Sequence, residues 1–263
     1  VAPSEKVGAR AKIIEALRTH DWGRKTRAVR INSLDTQWAY EDVIEVVENA
    51  GEHLDVIIIP KVKRAADVQW VDVLLTQIEG KLGTERRIGL EVLIEEVEAM
   101  INAEEIARST PRLEALIFGP GDYSASQGVR SSAVGGVSKD YPGDVWHYAR
   151  NKVVIAARAA GIEAMDGPFA DFGDSEGYRR ECMRAAILGF TGKWCIHPSQ
   201  IPIANEVFSP TQQQVERARK LVAAYEEAER QGLGSVAVDG VMVDAASVRL
   251  MRNTTRRADL IGM

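Results

Sequence analysis

The sequence predicts an α/β protein whose parallel strands alternate with helices and close into a barrel. Six short apolar runs lie at residues 27–32, 54–59, 87–91, 116–121, 162–165 and 191–196, separated by segments with helical spacing. Strands that alternate strictly with helices form a parallel sheet. Each run ends in, or is followed by, a polar residue: Arg30, Lys61, Glu91, Asp122, Asp166 and His197. Polar strand ends repeated around a sheet favour a (β/α)8 TIM-type barrel, in which they meet at one mouth, over a doubly wound sheet with a single switch point.

The ends of the chain depart from this regular pattern. Residues 1–6 have the composition of a turn and a helix start, so we expect the first strand of the barrel to be absent from this chain. After Pro210, residues 211–231 form one long, charged amphipathic segment, followed by a glycine-rich break, a short strand-turn at 236–243 and a basic helix. We expect residues 1–210 to form the barrel with its site and residues 211–263 to form a C-terminal helical lid.

Composition excludes several classes of function. The chain has 263 residues, 45% of them hydrophobic, and a net charge of -5, which gives no basic surface for nucleic acid or a membrane. No apolar run approaches the roughly 20 residues that cross a bilayer. Two cysteines, Cys182 and Cys195, make neither a disulfide framework nor a zinc site. We therefore expect a cytoplasmic protein with reduced thiols.

Two carboxylates are candidate metal ligands. Glu91 and Asp122 each follow an apolar run, so the fold would bring both to the mouth of the barrel. Oxygen ligands of this kind suit Mg2+, with Mn2+ as the alternative ion, and leave other positions to water or a bidentate substrate. The competing interpretation is that both acids stabilise the N-termini of the helices that follow them.

Further candidates carry positive charge or imidazole. Arg30 is placed to hold a carboxylate or an enolate oxygen by paired hydrogen bonds, or to form a surface ion pair. Lys61, after Pro60, suits the same role or that of a Schiff-base lysine, which a metal site would make redundant. His197, before Pro198, fits a hydrogen-bonded structural histidine better than a base. The glycine- and serine-rich residues 124–144 are a candidate binding loop.

These residues lie in segments that resemble a known family. The segments are Val-Arg-Ile-Asn at 29–32, Ile-Pro-Lys at 59–61, Ile-Gly-Leu-Glu at 88–91, Phe-Gly-Pro-Gly-Asp-Tyr at 118–123, Trp-His-Tyr-Ala at 146–149, Asp-Gly-Pro-Phe-Ala-Asp at 166–171, Gly-Lys-Trp-Cys-Ile-His-Pro-Ser-Gln-Ile at 192–201 and Met-Val-Asp at 242–244. In this order the chain resembles the HpcH/HpaI aldolase/citrate lyase β-subunit-like CoA ester lyases. It is most similar to the malyl-CoA/β-methylmalyl-CoA lyase branch.

The resemblance implies a role for each matching residue. Glu91 and Asp122 would bind Mg2+, and Arg30 would contact the thioester or enolate oxygen and the 2-oxo acid. Asp244 would be an acid/base that the C-terminal lid supplies to a neighbouring subunit of a homotrimer or homohexamer, although the sequence by itself makes Asp244 a helix N-cap. The residues that would bind the substrate or CoA, besides Arg30, are Lys61, Asp166, Asp171, Ile196, His197, Pro198 and Ile201.

The implied activity is a reversible Claisen-type cleavage of malyl-CoA, β-methylmalyl-CoA or citramalyl-CoA. The products would be glyoxylate or pyruvate and acetyl-CoA or propionyl-CoA. The same site also fits a malyl-CoA thioesterase or a malate-synthase-like activity, in which water attacks the thioester. A third interpretation is a non-catalytic relative that binds CoA esters. The expected partners are therefore acyl-CoA and small 2-oxo acids, without nucleic acid or membrane.

Overall fold

The computed structural model describes residues 2–130 and 141–263. The chain divides into two compact units, Val1–Gln200 and Ile201–Met263. The sequence placed the corresponding boundary between residues 210 and 211, after the helix that begins at Ile201.

Six parallel strands form the sheet of the first unit. They are β1 (Ala28–Arg30), β2 (Val56–Ile59), β3 (Gly89–Ile94), β4 (Leu113–Phe118), β5 (Glu163–Asp166) and β6 (Gly192–Lys193). The strands pair in the order in which they occur along the chain, which confirms the parallel α/β prediction. An order without reversal has no switch point, so the doubly wound alternative is wrong.

The closed barrel is not confirmed. Among the described residues β1 and β6 pair on one side only, so the sheet is curled but open. A closed sheet whose interior is just filled by side chains needs about eight strands. The C-terminal strands do not supply the difference, because they pair antiparallel with each other in a separate sheet.

Helices connect the strands and cover one face of the sheet. They are α1 (Lys6–Thr19), α2 (Ala39–Ala50), α3 (Ala65–Leu82), α4 (Val97–Ile101), α5 (Ala103–Ala107), α6 (Pro120–Gln127), α7 (His147–Ala160) and α8 (Ser175–Leu188). In α2 the apolar residues recur with helical spacing, and Val43, Val46, Val47 and Ala50 are all buried. The helices therefore hold the sheet by conventional amphipathic packing.

The opposite face of the sheet carries a second apolar cluster. Val56 and Ile58 of β2, Leu93 of β3 and Ile117 of β4 form it, with Met165 and Trp194 packed against it. Because side chains alternate along a strand, Glu91 and Glu95 share the face of Leu93. On this face Glu95 lies directly after the carboxyl end of β3.

The second unit is a small helical unit with one hairpin. It contains α9 (Ile201–Phe208), α10 (Gln212–Arg230), β7 (Ser235–Val238), β8 (Val241–Asp244) and α11 (Ala245–Leu260). This confirms the predicted long helix, strand-turn and final helix. Asp239 and Gly240, both with positive φ, form the hairpin turn. A core of Leu221, Tyr225, Val243 and Val248 joins the two long helices to the hairpin. None of the helices described here is both long and apolar enough to span a bilayer.

Candidate metal and substrate site

Four charged side chains meet at the carboxyl ends of β1 to β4, and we call them the mouth cluster: Arg30, Lys61, Glu95 and Asp122. The ammonium of Lys61 lies 2.9 Å from Oδ1 of Asp122. Its backbone N–H donates a hydrogen bond of 2.9 Å to Oε1 of Glu95. Lys61, which lies shortly after the end of β2, therefore contacts both the carboxylate that follows β3 and the carboxylate that follows β4.

Glu91, the expected metal ligand, does not lie at a strand end. Strand β3 continues to Ile94, so Glu91 is its third residue, paired in register with Ile58 and Ala115. Burial, and next the charge of Glu114, raise the pKa of Glu91. The expected position was wrong because the strand runs three residues past its first carboxylate, to Ile94, and Glu95 follows the strand end instead. Sequence reasoning missed Glu95, although the apolar run 92–94 after Glu91 was a signal for it.

Glu95 is nearly inaccessible, with 6% of its surface exposed. Its side chain crosses the end of β4 at Gly119, where a Cβ atom would lie 2.6 Å from Cβ and 2.7 Å from Oε2 of Glu95. Burial raises the pKa of Glu95, the hydrogen bond from Lys61 lowers it, and the charge of Asp122 raises it again. The glycine thus provides the space in which a buried carboxylate faces a second one.

Asp122 lies in the first turn of α6, which is the position expected if it stabilises the N-terminus of the helix, but its side chain does not cap the helix. About half of its side chain is exposed. It is therefore both near a favourable helix terminus and accessible to a ligand.

Lys61 adopts an unusual backbone conformation, with φ of 53°. This left-handed region is uncommon for residues other than glycine and recurs at functional sites. The ammonium also lies 3.9 Å from Oε1 of Glu96. The hydrogen bond to Asp122 is the main cause that raises the pKa of Lys61.

Arg30 ends β1 with its guanidinium 5.8 Å from the ring of Trp194. Its charge lowers the pKa of Glu95, so it faces the same mouth. Within residues 2–130 and 141–263 it forms no ion pair with a carboxylate, in contrast to the surface-pair alternative. The guanidinium is thus available to an anionic ligand.

Asp166, expected to contact the substrate or CoA, is fully buried. Arg150 Nε lies 3.1 Å and Lys193 Nζ 2.7 Å from its two carboxylate oxygens. Burial alone would raise the pKa of Asp166, but Lys193 and Arg150 hold it below its ordinary value. Glu181 also contacts both cations. The placement corrects the expectation, because no oxygen of Asp166 reaches the surface and its charge is already balanced.

The other expected substrate residues occupy two surfaces. Asp171, Ile196, His197 and Pro198 are exposed in the first unit, and Ile201 begins α9 of the second unit. The ring of His197 stacks on Phe172 at 4.9 Å, and its Nδ1 lies 2.8 Å from the Ser199 hydroxyl. The prediction that His197 is a hydrogen-bonded histidine fits these contacts.

Asp244 caps the last helix, as the sequence by itself indicated. Its Oδ1 accepts hydrogen bonds of 2.8 Å from both the backbone N–H and the hydroxyl of Ser247. These bonds lower the pKa of Asp244. The candidate binding loop at 124–144 starts later than expected, because α6 continues to Gln127, and its residues 131–140 lie outside the described residues.

The mouth cluster has the donor set of a site for a hard cation. No three His, Cys, Asp or Glu residues in the described part of the chain are grouped to hold a metal ion. Two carboxylates, Glu95 and Asp122, fit Mg2+ nonetheless, because this ion keeps several waters and is commonly bound by one or two carboxylates plus its substrate. The space at Gly119 and the burial of Glu95 match such a ligand.

Comparison with known proteins places these observations in a family. Residues 1–198 match the family described as HpcH/HpaI aldolase/citrate lyase. The chain is 45% identical over 269 residues to the L-malyl-CoA/β-methylmalyl-CoA lyase of Rhodobacter capsulatus, which covers 99% of this chain and 85% of that protein. It is 37% identical over 262 residues to the (3S)-malyl-CoA thioesterase of Cereibacter sphaeroides, and that alignment covers 99% of this chain and 84% of the thioesterase.

A solved structure adds a likeness in three dimensions. The protein CitE of Mycobacterium tuberculosis, in complex with magnesium, acetoacetate and coenzyme A, superposes with a TM-score of 0.75 at 28% identity. The superposition covers 98% of this chain and 86% of that one.

Proposed function

The chain belongs to the HpcH/HpaI aldolase/citrate lyase family, and we propose that it is a carbon–carbon lyase that cleaves malyl-CoA or β-methylmalyl-CoA. The cleaved bond joins the hydroxyl-bearing carbon to the carbon next to the thioester. The hydroxyl loses its proton as this bond breaks, glyoxylate leaves, and the enolate of acetyl-CoA or propionyl-CoA gains a proton at carbon. Citramalyl-CoA, which differs from malyl-CoA by a methyl group, would give pyruvate in the same way. The observation that carries the proposal is the mouth cluster, on a chain 45% identical to a lyase of this specificity.

Glu95 and Asp122 would hold the divalent cation, with Glu95 in the role first assigned to Glu91. Mg2+ supplies Lewis-acid polarisation of the hydroxyl and carboxylate oxygens of the substrate when it is bound. The support from this chain is the position of the two carboxylates after neighbouring strands and the glycine that makes room for Glu95. Mn2+ is the alternative ion.

Arg30 would stabilise the enolate oxygen that forms as the carbon–carbon bond breaks. Its guanidinium has no carboxylate partner in the described residues, and one well-placed donor of this kind contributes about 3 kcal/mol to the transition state. Asp171, Ile196, His197, Pro198 and Ile201 would contact the acyl-CoA.

Asp244 would exchange the proton at the enolate carbon. The hydrogen bonds from Ser247 lower its pKa, which favours the carboxylate that would accept a proton from the acyl-CoA carbon in condensation; in cleavage the protonated form would return that proton to the enolate carbon. We propose, as the family resemblance implied, that it acts from the C-terminal lid on the site of a neighbouring subunit in a homotrimer or homohexamer.

A second candidate is thioester hydrolysis at the same site. The relative in Cereibacter sphaeroides that is named a malyl-CoA thioesterase supports it. In this reaction water attacks the thioester carbonyl, and the products are malate and free CoA. The two reactions therefore differ in which bond breaks, and product analysis separates them.

The experiment is product analysis with malyl-CoA in the presence of Mg2+ and after chelation with EDTA. Glyoxylate and acetyl-CoA, lost on chelation, would support the lyase, whereas malate and free CoA would favour the thioesterase. Binding of the ester, seen as a shift in melting temperature without any product, would favour the non-catalytic alternative.

Two isosteric variants distinguish the carboxylates. Glu95→Gln should lose Mg2+-dependent turnover, because its neutral amide replaces a ligand charge. Glu91→Gln should retain it. The opposite pattern would return the metal site to Glu91 and refute the placement at Glu95.

A further inference from the structure

We infer that Lys61 is the internal counter-ion of the metal site. Its ammonium pairs with Asp122 when no metal is bound and must leave when a divalent cation binds. The inference rests on the proposed function, since it assumes that Glu95 and Asp122 are the ligands.

Lys61 contacts the two proposed ligands through different atoms. Its backbone N–H is fixed on Glu95, while its ammonium reaches Asp122, both at 2.9 Å. The left-handed backbone at Lys61, with φ of 53°, accompanies this double contact. The backbone contact is compatible with a bound metal, because it uses one oxygen of Glu95 and adds no charge.

The ammonium contact is not compatible with a bound metal. A cation on Asp122 would stand within a few ångströms of the ammonium, and like charges at such distances repel strongly. The side chain of Lys61 is 41% exposed and flexible, so it can leave without disturbing the fold. Metal binding should therefore exchange one cation for another at Asp122.

The exchange releases a positive charge at the mouth beside Arg30. The carboxylate of a small 2-oxo acid would then meet two cations, the guanidinium and the freed ammonium. Metal and oxo acid should consequently bind with positive coupling, and by linkage each should raise the affinity for the other equally.

The test measures binding rather than turnover. Mn2+ is titrated by calorimetry into the full chain after removal of metal with EDTA, for wild type, Lys61→Met and Lys63→Met. Lys61→Met should bind Mn2+ about two- to fivefold more tightly, the range that a partly exposed ion pair supplies. Lys63→Met, the matched control in the same loop, should bind as wild type does, because the Lys63 ammonium pairs with Asp35 at 3.4 Å.

A second titration tests the coupling. Glyoxylate should bind more tightly to wild type when Mn2+ is present, and this gain should shrink in Lys61→Met but persist in Lys61→Arg, which restores the charge. Circular dichroism confirms that each variant is folded.

The outcomes separate the two hypotheses. If wild type binds Mn2+ saturably and Lys61→Met binds it equally or more weakly, the counter-ion role is overturned, whereas the metal site is retained. The absence of saturable Mn2+ binding by wild type would overturn the metal site, and the counter-ion role with it.

Discussion

The substitution Gly119→Ala tests whether the position of Glu95 matters. The new Cβ would lie 2.6 Å from Cβ of Glu95. Carbon atoms in contact lie about 3.5 Å apart or more, so Glu95 must retreat by about 1 Å. Overpacking of this kind costs about 1–3 kcal/mol of stability. A group displaced by about 1 Å at a reacting centre costs about 100-fold in rate. The φ of Gly119 is -103°, which alanine adopts, so the effect is steric.

The matched control is Gly121→Ala in the same Gly-Pro-Gly-Asp segment. A Cβ at residue 121 has no neighbour within 4 Å, so stability and turnover should remain at the wild-type level or improve slightly. The assays are urea denaturation, Mn2+ titration and kcat/KM with malyl-CoA. Wild-type Mn2+ affinity and kcat/KM in Gly119→Ala would refute the reasoning that places Glu95 at the metal.

Substitutions at three further positions test other parts of the chain. Glu91→Gln should stabilise the protein at neutral pH, because burial raises the pKa of Glu91 and its ionisation opposes folding. The gain in the free energy of unfolding should fade as the pH drops through the ordinary range of a glutamate, because the carboxyl is then protonated in both the folded and the unfolded protein. Urea denaturation at a series of pH values measures it, and a stability difference between variant and wild type that does not change with pH would contradict the reasoning. Arg150→Met should cost about 3–5 kcal/mol in the same assay, because it removes one partner of the buried Asp166; a loss below about 1 kcal/mol would contradict this. Asp244→Ala should cost about 1 kcal/mol as a lost N-cap. Asp244→Asn should keep the cap and the melting temperature, so unchanged turnover in that variant would count against an acid/base role.

The order and direction of the strands could be predicted from the sequence, whereas the state of the sheet edges could not. Apolar runs separated by helical segments define βα units, and such units impose parallel pairing with the preceding strand. Closure depends on how many strands are present and how far each is staggered. Neither quantity is encoded in the periodicity of a single run.

The candidate site shows the same division between local and long-range information. Asp122 follows β4 as a local pattern indicates, but the same pattern predicts the end of β3 at Glu91, because Glu91 is the first carboxylate of the run. A strand tolerates a carboxylate on a face that is not fully closed, so charge alone does not end a strand. The left-handed backbone of Lys61 has no local signal, since glycine or asparagine would be expected there.

Asp166 illustrates a different difficulty. In sequence it stands before Gly-Pro and resembles a loop residue at a strand end. Its burial depends on Arg150 from α7 and Lys193 from β6, and neither is its neighbour in sequence. Only tertiary contacts reveal a balanced internal charge.

The sequential pairing of the sheet has a consequence for biosynthesis. Ala28 pairs with Val56, and Val56 with Gly89, so each strand finds its partner in the segment translated just before it. The whole mouth cluster lies on β1 to β4 and the residues directly after them, whereas the buried charges around Asp166 require β5 and β6. During synthesis the part of the sheet that carries the mouth cluster can therefore form on the ribosome first, and the internal ion cluster stabilises the β5–β6 edge afterwards.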